Sequence, residues 1–150
     1  LTFSTDVRIV IGMTTTNAEW LAFYTDGKGF HKTAQGSVRR PSVFTPEIIQ
    51  NIVAMGIEKY LMAIFMHRGV LPYNHTMTDL LESARPLLPL SAELEATMRR
   101  IDSLQRICSV ENFAITKPTA ADVPAFLAAI DEVASLADAE LAPPPGTATP

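Results

Sequence analysis

NIVAMGIEKYLMAIFMHRGVLPYNHTMTDLLESARPLLPL, residues 51–90, decides the fold. With Ile49 just upstream, its first half places Ile52, Val53, Ile57, Tyr60, Leu61, Ile64 and Phe65 around nearly every side of a helix. A helix apolar on most sides is a central one, covered by several neighbours. Thr45 is placed to cap it, and Pro46 suits the first turn, where a missing N–H costs no hydrogen bond. Gly69 supplies the left-handed residue that ends it near Arg68. Gly56 leaves room for a neighbour to approach closely. The apolar stretch from Ile48 to Met66 is broken by Gln50, Asn51, Glu58 and Lys59. A membrane span needs about 20 mostly apolar residues, so the stretch reads as a buried helix and no membrane is expected. A short helix follows, about His75 to Ala84, with Met77, Leu80 and Leu81 inward. Pro86 and Pro89 stop it.

Upstream, a first helix starts near Thr16 or Asn17. It repeats Trp20, Phe23, Tyr24, Gly27, Phe30, His31 and Ala34 at helical spacing. Gly27 and Gly29 each weaken it by roughly 1 kcal/mol relative to Ala, so packing must hold it. Before it, VRIVIG (residues 7–12) is β-prone but cannot make a sheet alone. It reads as an extended arm, or as an edge that pairs with another chain. A start at Leu1 suggests an altered or shortened N-terminus. Downstream, Ser91 caps a fourth helix with Leu94, Met98, Ile101, Leu104 and Cys108 on one stripe. Residues 109–118 read as a loop. A fifth helix opens on the capping-box spacing Thr119 to Asp122 and buries Val123, Phe126, Leu127, Ile130, Val133, Ala134, Ala137 and Leu141. The tail from Pro143 holds no core-forming residue and reads as disordered. The organisation is therefore an N-terminal arm (1–15), a helical bundle domain (16–142) and a tail (143–150). Short connections favour antiparallel neighbours, so the fold class is all-α, an antiparallel four- to five-helix bundle.

Composition agrees with one globular domain: 150 residues, 47% hydrophobic and 19% charged. The net charge of −4 is uneven. Residues 1–75 carry seven Lys/Arg against five Asp/Glu, and residues 76–150 carry five against eleven. That acidic half argues against a nucleic-acid stripe over the whole surface and leaves only local clusters, Arg39/Arg40 or Arg99/Arg100/Arg106, for any phosphate. The single cysteine excludes an intrachain disulfide and a cysteine zinc cage. No Glu-x-x-His, H-E-x-x-H, phosphate-loop or G-x-S-x-G motif occurs, so no metal or cofactor is expected. No signal peptide is visible, and a cytoplasmic location is the default.

The order within residues 51–90 carries a family resemblance. An apolar helix with an internal Glu58-Lys59 pair leads to a Gly69/Pro72 turn, then to His75 at a helix start and a second apolar helix. This resembles the HEPN family, the helical bundles named for higher eukaryotes and prokaryotes nucleotide-binding. It runs from about Trp20 to Leu141 and is specific between Glu58 and Leu81. The resemblance implies four main helices plus a shorter one, dimerised through helix faces. It also implies a nucleotidyltransferase partner, a toxin–antitoxin setting, and contact with a nucleotide or RNA. Ribonucleases of the family use an Arg, four to six intervening residues, then a His; the His serves as acid and base and the Arg holds the phosphate. Where that motif belongs, Arg106 is followed by Glu111, Asn112 and Phe113. Arg68 and His75 have the literal spacing, but across the turn between the second and third helices.

The leading expectation is a catalytically silent HEPN-like module for dimerisation and for partner or nucleotide binding. The alternatives are a metal-independent ribonuclease with an irregular Arg68/His75 or Arg106 site, and a generic helical interaction domain. Candidate ligand contacts are Glu58, Lys59, Arg68, His75 and Arg106, with no residue assigned to catalysis. Each has a structural reading beside it. His75 can cap the third helix, pack on the turn or donate to a carbonyl. Glu58 can pair with Lys59, Arg99 or Arg106, since an unpaired buried charge is costly. A homodimer is expected because the first helix offers more aromatic surface (Trp20, Phe23, Tyr24, Phe30) than one small core covers.

Overall fold

The computed structural model describes residues 3–105 and 117–143, with side chains from residue 19 onward. Five α-helices make up the described chain: α1 (Phe3–Ser37), α2 (Pro46–Arg68), α3 (Met77–Ala84), α4 (Ala92–Gln105) and α5 (Val123–Leu141), the last entered through a 3-10 turn at Ala120–Asp122. No strand occurs among the described residues. The chain is an all-α bundle.

Local chemistry sets most boundaries. Thr45 Oγ1 accepts the Ile48 N–H at 3.3 Å, and Pro46 opens α2. At the other end Gly69 takes φ 69°. Its N–H donates to Met66 O at 3.2 Å and the Val70 N–H to Phe65 O at 2.8 Å. That pair of bonds is a Schellman end, which needs a residue able to enter the left-handed region. α4 is capped by Ser91, whose hydroxyl accepts the Leu94 N–H at 3.0 Å. Glu132 of α5 accepts from both the N–H and the hydroxyl of Ser91, tying the start of α4 to the middle of α5. Asp122 accepts the Thr119 N–H at 2.8 Å, the half of a capping box that holds the entry to α5.

Two boundaries differ from the sequence reading. α1 begins at Phe3, so residues 3–15 are helical rather than an extended arm. The β-propensity of Val7 to Ile11 is worth only tenths of a kcal/mol per residue, and lengthening an existing helix needs no new nucleus. α3 starts at Met77, with Thr76 as its cap (Oγ1 accepting from the Asp79 N–H at 3.1 Å), so His75 neither starts nor caps it. The loop at 109–118 and the tail expected to be disordered lie largely outside the described residues, as does Cys108.

α2 is the axis of the molecule. α1 and α5 pack against it and against each other; α3 touches α2 and α4, and α4 touches α5. Ile57, Tyr60, Leu61, Ile64 and Phe65 of α2 meet Leu80 and Leu81 of α3, Leu94, Met98 and Ile101 of α4, and Phe126 and Ile130 of α5 in one core. α1 runs antiparallel to α2: Trp20 lies at His67, Gly27 at Tyr60 and Phe30 at Gly56. Gly56 is the close-approach point, meeting Phe30 and Ile130 together. α2 is the one described helix long and apolar enough to cross a membrane, and most of its apolar stretch is buried inside the bundle.

The aromatic residues of α1 are better covered than expected. Tyr24 is buried, Trp20 packs edge-on to His67 at 5.2 Å, and Phe23 lies under the Lys59 ammonium at 4.6 Å.

Candidate functional site

Polar side chains concentrate on the seam between α1 and α5, above Tyr60 of α2. Tyr24 and His31 stand two turns apart on α1, and Asp131 and Asp138 two turns apart on α5. Because the helices are antiparallel, they pair as two rungs. The Tyr24 hydroxyl donates to Asp138 Oδ1 at 2.6 Å, and His31 Nε2 lies 2.6 Å from Asp131 Oδ1. Tyr60 is seated between them, its ring centroid 6.1 Å from each of Tyr24 and His31. A carboxylate can only accept, so Nε2 of His31 donates to Asp131. In a neutral ring Nδ1 is then the acceptor that faces the Tyr60 hydroxyl at 3.4 Å. Burial, then the Asp138 charge, pushes the Tyr60 phenol up to about 12. Tyr24 moves in the same direction, through burial first and its bond to Asp138 second. These phenols stay protonated and act as donors. Sequence reasoning missed this seam. Its signal is the matching seven-residue spacings on α1 and α5, which become informative only when the helices are known to touch.

The residues singled out by sequence are dispersed. Glu58 does not pair with Lys59, Arg99 or any other arginine among the described residues; His75 Nδ1 lies 2.9 Å from its Oε1. Lys59, one residue on, turns toward α1 and covers Phe23. Arg99 is held by Glu82 at 2.8 Å. Arg68 binds Glu140 in a two-pronged pair, with Nη2 to Oε2 at 2.9 Å, and donates to Leu87 O at 3.2 Å. Arg68 and His75 therefore serve different carboxylates. Glu58 and Arg68 are ten residues apart on α2, about 15 Å along its axis. Arg106, with Glu111, Asn112 and Phe113, lies outside the described residues. A cleft of about 350 Å³ is lined by Glu47, Gln50 and Asn51 of α2 and by Leu104, Gln105, Lys117 and Pro118, which flank that segment in sequence. No group of three or more His, Cys, Asp or Glu that could hold a metal ion occurs among the described residues.

Compared with known proteins, the chain matches no family model, and no curated protein or solved structure is significantly similar to it.

Proposed function

We propose that the chain is a catalytically silent HEPN-like module that dimerises and binds a protein partner, a nucleotidyltransferase being the partner class the resemblance implies. The outer face of α2 carries this reading. A central helix should not leave large apolar side chains in water. Yet Ile48 is 41% and Met55 46% exposed, two turns apart on one line, with half-buried Ile52 between them. Glu58 lies almost one turn past Met55, and through it His75 draws the loop after α2 to the same side. That loop carries Leu71 and Tyr73, 71% and 93% exposed. Exposed apolar surface of this extent marks an interaction face, and a single self-complementary patch suits a two-fold dimer. The polar candidates meanwhile hold the bundle itself together: Glu58 with His75, Arg68 with Glu140, Arg99 with Glu82.

Light scattering at tens of micromolar tests the proposal. A dimer is expected, returned to monomer by Met55→Glu with little change in melting temperature; a wild-type monomer would reject it. The ribonuclease alternative is separated by incubating the protein with structured and unstructured RNA in EDTA. No cleavage is expected. Cleavage lost in both Arg68→Ala and His75→Ala would replace the proposal with an enzyme. Cleavage lost only in Arg106→Ala would point to a site completed by another chain.

A further inference from the structure

Seven of the ten lysines and arginines whose side chains are described have a partner inside the bundle. Arg68 binds Glu140, Arg85 binds Glu82 and Glu95, Arg99 binds Glu82, and Arg100 binds Asp122; Lys117 reaches Glu47, and Lys28 and Lys59 lie over aromatic rings. The remaining three, Lys32, Arg39 and Arg40, have no such partner among the described residues; the two arginines are adjacent, and Lys32 precedes them by seven residues. Lys32 is in the last turns of α1. Arg39 and Arg40 follow its end, their N–H groups donating to Gly36 O at 3.2 Å and Ser37 O at 3.0 Å, so the chain keeps turning past Ser37. Two cations beyond a helix C-terminus offset the exposed carbonyl dipoles there. That role leaves the guanidinium N–H groups themselves unused, five on each side chain. The nearest described acid in sequence, Glu47 in the first turn of α2, is turned to Lys117.

The same tip exposes apolar surface. Val38 and Val43, on either side of the arginine pair, are 56% and 48% exposed. We infer that this α1–α2 tip is a docking surface for an acidic segment of a partner protein that interleaves carboxylates with aliphatic side chains. Each arginine can grip a carboxylate with two parallel N–H bonds, and the valines offer the apolar contact that makes such a grip selective. Nucleic acid is the poorer fit. Three cations make a short phosphate track, and Phe44, the aromatic residue of the tip, is packed against the core rather than presented to a base. The inference names a second surface for the binding module proposed above. The tip lies at the opposite end of α2 from Leu71 and Tyr73, about 34 Å away for a 23-residue helix, and adjoins the Ile48 end of the α2 face.

Fluorescence anisotropy of the whole chain with a labelled peptide of alternating Glu and Leu tests it. A peptide with Lys in place of Glu and a single-stranded oligonucleotide serve as the other two arms. The Glu/Leu peptide should bind and weaken severalfold between low and physiological salt. It should lose at least tenfold in the Arg39→Glu/Arg40→Glu double variant, and severalfold in Val43→Ser, while circular dichroism spectra keep the helix content of the wild type. Absence of Glu/Leu binding would overturn the inference. Tighter binding of the oligonucleotide, or a Val43→Ser variant with unchanged affinity, would do the same. Dimer mass is read separately, so failure here is distinguishable from failure of the dimer.

Discussion

A methyl group added at Gly27 would lie 2.9–3.1 Å from three atoms of the Tyr60 ring, whereas one added at Gly29 would meet nothing within 4 Å. The two glycines look alike in the sequence and weaken α1 alike as an isolated helix, but only the first is required. Gly29→Ala should raise stability by about 0.5–1 kcal/mol, through helix propensity alone. Gly27→Ala should lower it, because roughly 1–3 kcal/mol of overpacking outweighs that gain. Gly56→Ala belongs with Gly27: its Cβ would clash with Ile130 Cδ1 and fall 3.2 Å from Phe30 Cβ, and a buried isoleucine between packed helices has little space to retreat. Urea melts of the three variants check the order. A stabilised Gly27→Ala would mean that α1 does not sit against Tyr60.

Asp122 concentrates the entry to α5. It takes the Thr119 N–H and stands 3.2 Å from Arg100 Nε on α4. The Thr119 N–H first, and the Arg100 guanidinium second, hold its carboxyl below the usual carboxylate range. A carboxylate lowered by folding adds stability above its unfolded pKa of about 4, and that stability is lost as pH falls through the lower native value. Asp122→Ala should therefore cost about 1 kcal/mol at neutral pH, as a lost cap does, and progressively less in acid. Urea melts at neutral pH and near pH 2 test this; a gap between variant and wild type that stays constant would remove Asp122 from the account. Caps of this kind are readable in sequence because they act within four residues, which is why Thr45, Gly69, Ser91 and Thr119 could be placed beforehand. The start of α3 could not. His75 and Thr76 are both plausible caps, and the choice follows from Glu58, 17 residues earlier, which draws the imidazole away. The seam was hidden for the same reason on a larger scale: Tyr24 and Asp138 are 114 positions apart, His31 and Asp131 100.

Three helices close over two phenols, and alkali should expose that arrangement. A phenol raised by folding adds stability that is fully present below its unfolded pKa of about 10 and is lost as pH rises through the native value, about 12 for Tyr60. Tyr24 and Tyr60 should keep their protons near pH 11 and release them with unfolding. Phenolate absorbance followed alongside circular dichroism measures this; complete ionisation of both with the helices intact would contradict the seam. Trp20 has a different use. It is the chain's single tryptophan, set edge-on against His67 at the end of α2 away from the arginine tip. Its emission is thus a local optical gauge of whether α1 stays seated at that end, while ellipticity averages over every helix. Where the two signals melt together the bundle opens as one unit; where emission moves first, the difference is the free energy of peeling that end of α1 from α2.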